Sequence, residues 1–191
     1  IRSVEFASKF NMPVRVLSSF NKGEGTLIDK EDENLENAII SGVTHTKNDS
    51  KLIIRHVPDV PGIAAKILSP ISNVGIEVDV IVQNVAEDKT TDFTFTVKDY
   101  DAEKAAKILK ELSDELGGGN VELAKEISKV SVVGVGMKSH AGVATKMFTA
   151  LADKNINIDM ISTSEIKISV VVSRENAEEA VRALHDAFDL G

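Results

Sequence analysis

Two stretches of this chain carry the same residue pattern, one 80 positions after the other. The first reads "VPDVPGIAAKILSPISNVGIEVDVIVQN" and covers residues 57–84, and the second reads "MKSHAGVATKMFTALADKNINIDMISTS" and covers residues 137–164. A shift of 80 positions places Gly142 on Gly62. A repeat at a fixed spacing indicates that one structural unit is built twice.

The first copy predicts a unit of four strands and two helices. Apolar residues recur at helical spacing within 62–74, and polar and apolar residues alternate along 92–97, as they do in a half-buried strand. The predicted elements are a strand at 51–57, a helix at 62–74, strands at 76–84 and 92–97, a helix at 101–116 and a strand at 120–127. This βαββαβ order is that of a ferredoxin-like unit.

The second copy predicts the same order but ends one strand short. Its predicted elements are a strand at 130–136, a helix at 142–153, strands at 156–163 and 166–173, and a helix at 175–188. A missing strand would leave an unpaired position in the sheet. We predict that Val14 to Leu17, near the N-terminus, supply the last strand. The fold class is then α+β, with two ferredoxin-like βαββαβ units and the first inserted within the second.

The first 50 residues precede the repeated units and form separate parts of the chain. Residues 21–37 mix turn-forming residues with an acidic run, and "KNDS" at 47–50 is typical of a hairpin turn before the next strand. The expected parts are an N-terminal segment at 1–20, a connecting segment with a hairpin at 21–50, a first unit at 51–128 and a second unit at 129–191.

The composition excludes several classes of function. The chain carries a net charge of −8 and no cluster of basic residues, which argues against nucleic-acid binding. It has no cysteine, its 4 histidines are not at metal-ligand spacing, and no Ser/His/Asp pattern stands out, so we expect neither a metal site nor a catalytic residue. No apolar run approaches the length of a membrane span, and we expect no contact with a membrane. The absence of cysteine is typical of a cytoplasmic protein.

The start of the first repeated helix combines groups of opposite charge. Pro61 suits a first helical turn, and Gly62 lets the backbone come close to a ligand. The free N–H groups of a helix N-terminus suit a carboxylate, and the carboxylate of Asp59 suits an ammonium group. The pattern therefore predicts a site for a small zwitterion, with Gln83 and Asn84 beside it at the end of the next strand.

Helix capping is the alternative interpretation of Asp59, because Asp is a preferred N-cap residue. The second copy has Ser139 at the matching position, and Ser caps a helix as well as Asp does. If the only role of this position is to cap the helix, the negative charge of Asp59 has no function. If ligand charge matters, the first copy is suited to an ammonium group and the second is not.

Polar residues also cluster after the second repeated helix. Asn155 and Asn157 precede the next strand, and "STSE" at 162–165 follows it. Asn155 alone is explained by the end of a helix, and "STSE" alone by a turn. The density of polar groups keeps open a pocket rim or an interface at this place.

At these residues the sequence resembles the regulatory region of aspartate kinase. The matching stretches are "RSVEFASKFNMPVRVLSSF" (2–20), "GTLI" (25–28), "PDVPGIAAKI" (58–67), "DVIVQN" (79–84), "TDFTFTV" (91–97), "KVSVVGVGMKSHAGVATKMF" (129–148) and "NIDMISTSEIKISVVV" (157–172). The resemblance implies two ACT domains, which bind amino acids and impose feedback control, and it implies that residues 1–20 hold the tail of a kinase domain. It also implies that this chain is not itself an enzyme, because the ATP, Mg²⁺ and aspartate sites belong to the kinase domain.

By the same resemblance, the effector is threonine, lysine or both, in the biosynthesis of lysine, threonine and methionine. The residues implied for its site are Asp59, Gly62, Ile63, Ala64, Gln83 and Thr94 of one chain, with Asn155, Asn157 and Ile158 of a second chain. A second effector or interface site is implied at Ser139, His140, Ala141, Gly142, Ser162, Thr163, Ser164 and Glu165. Substitution at the position of Thr94 relieves inhibition in relatives.

The implied partners are the free amino acid, a second copy joined through the ACT domains, and a kinase catalytic domain or subunit. One alternative stays open at this point. A chain of this kind also suits a free-standing ACT-type sensor, or a dimerisation module, that acts on another protein.

Overall fold

The computed structural model describes residues 2–29, 40–117, 119–134 and 142–190. The chain forms two compact units, Ile1–Ala38 and Ile39–Gly191. In the first unit, helix α1 (Arg2–Lys9) is followed by strands β1 (Val14–Val16) and β2 (Thr26–Ile28), which pair with each other in an antiparallel two-stranded sheet.

The second unit is built on one six-stranded antiparallel sheet with the strand order β4-β5-β3-β6-β8-β7. Its elements are β3 (Gly42–Pro58), α2 (Ile63–Asn73), β4 (Val78–Val85), β5 (Thr90–Lys98), α3 (Ala102–Leu116), β6 (Val121–Val133), α4 (Val143–Asp153), β7 (Met160–Thr163), β8 (Lys167–Ser173) and α5 (Ala177–Ala187). Short 3₁₀ turns lead into α3 and α5.

Strands β3 and β6 are long enough to serve two modules at once. The later part of β3 pairs with β5 and with the beginning of β6, which completes a first module around α2 and α3. Residues 42–46 of β3 pair instead with residues 129–133 of β6, which in turn pair with β8 and complete a second module around α4 and α5. The predicted α+β class is confirmed, and so is the insertion of the first repeated module within the second.

The strand that completes the second module is not the one predicted from the sequence. We expected Val14 to Leu17, but Val14–Val16 pairs with Thr26–Ile28 in the first unit. The position beside β6 is filled by residues 42–46, and Val43 packs against the core of the second module. The β-branched residues of this segment suit that place, and their chain runs on into the first module without a break.

The predicted hairpin turn at "KNDS" is also wrong, because Gly42–Pro58 is one strand with bulges on either side of Asp49. Asp49 is only 3% exposed, and its carboxylate accepts hydrogen bonds from Thr46 and, at 2.7 Å, from Nζ of Lys98. Ser50 donates from Oγ to Asp99 at 2.6 Å. Residues that favour turns stay in a strand here because partners across the sheet satisfy their polar groups.

Each module has its own apolar core on the helix side of the sheet. The first core joins strand residues Leu52, Ile54, Phe93 and Phe95 to helix residues Ile67, Ile71 and Leu109. The second joins Val130, Val132, Val170 and Val172 to Met147, Leu151 and Leu184. Full burial of each such side chain stabilises the fold by about 1.5–3 kcal/mol. None of the helices in the described ranges is long and apolar enough to cross a membrane.

Substitution of Gly119 by Ala is expected to destabilise the first module. An added Cβ would lie 2.8 Å from the carbonyl oxygen of Arg55, and that oxygen already accepts the Gly119 N–H at 2.8 Å. We expect the free energy of unfolding to fall by about 1–3 kcal/mol in urea denaturation. Gly42→Ala is the matched control, because a Cβ there meets no atom within 4 Å. Equal losses in the two variants would contradict the close approach at Gly119.

The buried carboxylate of Asp49 makes stability depend on pH. Burial alone would raise the pKa of Asp49, but hydrogen bonds from Lys98 and Thr46, with the charges of Lys98 and Lys129, hold that pKa below its usual range. A carboxyl group with a lowered pKa in the folded state adds stability above its unfolded pKa. That stability is lost as the pH falls through the folded value.

Asp49→Asn is therefore expected to cost about 1–3 kcal/mol at neutral pH, because it removes the charge that pairs with Lys98, whose own side chain is 37% exposed. The difference from the wild type should shrink as the pH falls below about 4. Denaturant titrations of both proteins across the acid range measure this. Glu178→Gln, which breaks the exposed ion pair with Lys47, is the control and should cost less than about 1 kcal/mol. A difference that stays constant with pH would count against the interpretation.

Candidate functional site

Both repeated helices begin at a glycine in the left-handed region of backbone conformation. Gly62 precedes α2 with φ 91° and ψ −3°, and Gly142 precedes α4 with φ 100° and ψ −11°. Since glycine has no side chain, neither N-cap residue caps its helix with a side-chain hydrogen bond. Other residues are strained at such φ values, so the glycine is required at both helix starts by the backbone.

The carboxylate of Asp59 is available beside the start of α2. Asp59 is exposed, and its backbone N–H donates to the carbonyl oxygen of Lys89 at 2.9 Å. Since α2 has no side-chain cap, the interpretation of Asp59 as a capping residue is wrong. The space at Gly62 is open too, because a Cβ there would meet no atom within 4 Å. An exposed acidic residue thus lies four positions before a helix whose N-cap residue has no side chain, although the Ile63 N–H already donates to Val60 O at 3.1 Å.

Gln83 lies on the helix side of the sheet, as α2 does. It belongs to edge strand β4 and pairs with Phe93, whose ring is buried in the first core together with residues of α2. Directly paired residues of antiparallel strands point to the same face of a sheet. Ile63 is only 4% exposed and Ala64 packs against the core, so these two residues can offer a ligand little more than backbone groups.

Thr94 points to the opposite face of the sheet from Gln83. It pairs with Ile53 and Val82, one step along the strand from buried Phe93. With Ile158 it lines a cavity of about 320 Å³ between the first module and the residues at the start of β7. Within one chain, the structure thus brings Thr94 and Ile158 together, but it places Thr94 away from Asp59, Gly62 and Gln83.

Asn155 ends helix α4. Its φ is 55°, its N–H donates to Ala152 O at 2.8 Å, and Ile156 N–H donates to Leu151 O at 3.0 Å. Gly75, with φ 78°, has the same role after α2. The helix-end interpretation of Asn155 is confirmed, and its exposed side chain stays available for other contacts.

The remaining predicted polar residues divide between strand and turn. Ser162 and Thr163 are the last residues of β7, and Ser164 N–H donates to Lys167 O at 2.7 Å in the hairpin that contains Glu165. Gly142 starts α4, whereas Ser139, His140 and Ala141 lie outside the described residues. Among the residues that the structure describes, no group of three or more His, Asp or Glu side chains is arranged to hold a metal ion.

An ion cluster missed by sequence reasoning supports the strand that leads into the Asp59 turn. Arg55 donates to Glu122 at 2.6 Å and to Asp92 at 2.9 Å, and the His56 N–H donates to the other oxygen of Asp92 at 2.9 Å. The hydrogen bond from Arg55 lowers the pKa of Glu122. His56 has φ 52° within a bulge of β3, so Asp92 fixes an unusual backbone just before Asp59.

Comparison with known proteins identifies both modules. Two family models described as ACT domain match residues 51–117 and 130–188. The chain is 60% identical over 191 residues to the aspartate kinase of Pseudomonas putida and 45% identical over 193 residues to the aspartokinase of Helicobacter pylori. These matches cover 100% and 99% of the chain but 46% and 47% of the relatives, so the chain spans about half their length.

Solved structures agree. The chain is 45% identical to a chain in the crystal structure of aspartokinase alpha and beta subunits, with a TM-score of 0.73, and the match covers 78% of this chain and 99% of that one. It is 41% identical to the ligand-free regulatory subunit of aspartate kinase from Thermus thermophilus, with a TM-score of 0.74 and the same coverages of 78% and 99%. The chain therefore belongs to the aspartate kinase family, as a regulatory region built from two ACT domains.

Proposed function

We propose that this region senses a free amino acid and thereby imposes feedback inhibition on the catalytic part of aspartate kinase. The effector is threonine, lysine or both, end products of the pathway that also leads to methionine. It binds at the start of α2. One observation carries the proposal: Asp59 offers an exposed carboxylate beside a helix N-terminus that no side chain caps.

The chemistry of this place suits a zwitterion. The helix N-terminus carries a partial positive charge and N–H groups without an intrahelical acceptor, which stabilise a carboxylate. The carboxylate of Asp59 stabilises an ammonium group, and hydrogen bonds between charged groups are stronger than those between neutral ones. In this proposal the amide of Gln83, which lies on the same side of the sheet as α2, contacts the side chain of the amino acid.

The edges of the sheet support a dimer with a shared site. Strands β4 and β7 are the two edge strands of the second unit, and each presents an isoleucine at the matching repeat position. Ile81 and Ile161 are both 47% exposed. Exposed apolar edge strands invite pairing with another chain. If β4 of one copy meets β7 of another, then Asn157 and Ile158, just before β7, come from the partner to the side of Gln83.

Inhibition requires that the effector bind two states of the assembly with different affinity. Coupling of this kind is typically worth about 1–3 kcal/mol. Catalysis, with ATP and Mg²⁺, belongs to the remaining half of the relatives' length. In this proposal the ACT domains supply only the differential binding.

Asp59→Asn is expected to weaken effector binding about tenfold or more, because it removes the charge that faces the ammonium group. Titration calorimetry with threonine and with lysine measures the affinity. Asp186→Asn, at an exposed position of α5, is the matched control for the same loss of charge. Unchanged affinity in Asp59→Asn would remove Asp59 from the site. A wild-type chain that binds neither amino acid would sink the proposal and favour a dimerisation module.

Thr94→Ile is expected to weaken threonine binding about tenfold while the chain remains folded. The cavity of about 320 Å³ has room for the larger side chain, so the chain stays folded, and the apolar side chain fills space between Thr94 and the segment that carries Ile158. Thr94→Ser, which adds no bulk, should bind as the wild type does. Calorimetry and thermal unfolding of the three proteins test this. Equal affinity of Thr94→Ile and the wild type would contradict a role for this cavity.

A further inference from the structure

Two ion pairs cross between the modules. Lys51, on the first module's part of β3, places Nζ 3.1 Å from Oδ2 of Asp159, just before β7 in the second module. Lys129, on the second module's part of β6, pairs with Asp79 of β4 in the first module. Asp79 and Asp159 are separated by 80 positions, so they are the same residue of the repeat. Each module therefore holds the other's edge strand at a matching point.

The two lysines are far less exposed than ordinary surface cations. The side chains of Lys51 and Lys129 are 12% and 13% exposed, whereas Lys47 of an ordinary surface pair is 42% exposed. An exposed ion pair contributes little and holds its side chains loosely. The partner carboxylates of Asp159 and Asp79 are 36% and 49% exposed, so each pair is half-buried, and loss of the acid leaves a largely buried ammonium group without its partner.

The carboxylate of Asp159 links Lys51 to a residue of the candidate site. Oδ2 accepts from Lys51, while Oδ1 lies 3.5 Å from Nδ2 of Asn157 in a long hydrogen bond. The backbone of Asp159 is fixed as well, because its N–H donates to Val171 O at 2.8 Å. The Asp159 carboxylate thus lies between the Lys51 ammonium group and the Asn157 amide, with its shorter contact to the lysine of the other module.

Ile158 packs against the core of the second module, but open space separates this segment from the first module. Lys51, Thr94, Ile158 and Asp159 all line the cavity of about 320 Å³ that separates the start of β7 from the first module. Apolar contact is incomplete around an open space of this size. The Lys51–Asp159 pair is thus the charged contact across the cavity that ties residues 157–159 to the first module.

We infer that Lys51 is a positioning residue for effector binding. Through Asp159 it orients the amide of Asn157, which the second module contributes to the shared site. The inference rests on the proposed function for the role of Asn157 as an effector contact. By this route the central strand of the first module affects the effector contact made by the second module, although Lys51 itself does not touch the ligand. Thr94, on the same cavity wall, acts on the same segment.

The test compares Lys51→Gln and Asp159→Asn with the wild-type chain. Each variant should weaken threonine or lysine binding about tenfold in titration calorimetry. Each should also shift the side-chain amide resonance of Asn157 in the NMR spectrum of the ligand-free protein, identified by its loss in Asn157→Ser. Lys47→Gln, which breaks the exposed pair with Glu178, is the matched control and should change neither signal.

Reversal of the pair separates positioning from a general loss of stability. The double variant Lys51→Asp with Asp159→Lys restores an ion pair at the same place and should recover affinity relative to either single charge-reversal variant. The inference would be overturned if the double variant did not recover affinity. It would also be overturned if the single variants had the affinity and the Asn157 amide resonance of the wild type. If the wild type binds no amino acid, the proposed function fails, and the Asn157 resonance still decides whether Lys51 positions that amide.

Discussion

Strands β3 and β6 pair with each other through both modules, and the rest of the second unit depends on that shared ladder. The pairing runs from Gly42 with Val133 to Ile54 with Val121, so each strand is a central strand of one module and continues into the other. Neither module can complete its sheet without the other. A displacement of either long strand therefore moves residues of both modules. A regulatory region requires such a connection between its parts.

Long strands with polar residues in their middle require partners there, and these partners are what join the modules. Asp99, just after β5, accepts from Ser50 at 2.6 Å and from Arg174 at 2.7 Å, and Arg174 lies just after β8 in the second module. With the crossed lysine–aspartate pairs, these contacts place charged links on both sides of the shared ladder. The junction is thus polar and specific, whereas the two apolar cores are separate.

Local patterns were enough to predict the repeat, the βαββαβ order and the two helix starts, because periodicity and glycine conformation are properties of short segments. The sequence did not reveal the strand that completes the second module, because "KNDS" was interpreted as a turn that separates it from residues 51–58. The residues that keep "KNDS" in the strand, Lys98 and Asp99, are distant in sequence, with 49 positions between Asp49 and Lys98. The side of the sheet on which Thr94 lies could have been predicted. Thr94 alternates with the buried residues Phe93 and Phe95, so its side chain lies on the face opposite α2. The Lys51–Asp159 pair, 108 positions apart, gave no such signal.

The proposed function requires that a free amino acid bind between Asp59 and the N-terminus of α2. A crystal structure of the chain grown with threonine and lysine tests it most directly. We expect density for a ligand whose ammonium group lies within hydrogen-bond distance of the Asp59 carboxylate and whose carboxylate lies against the first turn of α2. Density bound elsewhere, with Asp59 facing bulk water in the assembled dimer, would contradict it.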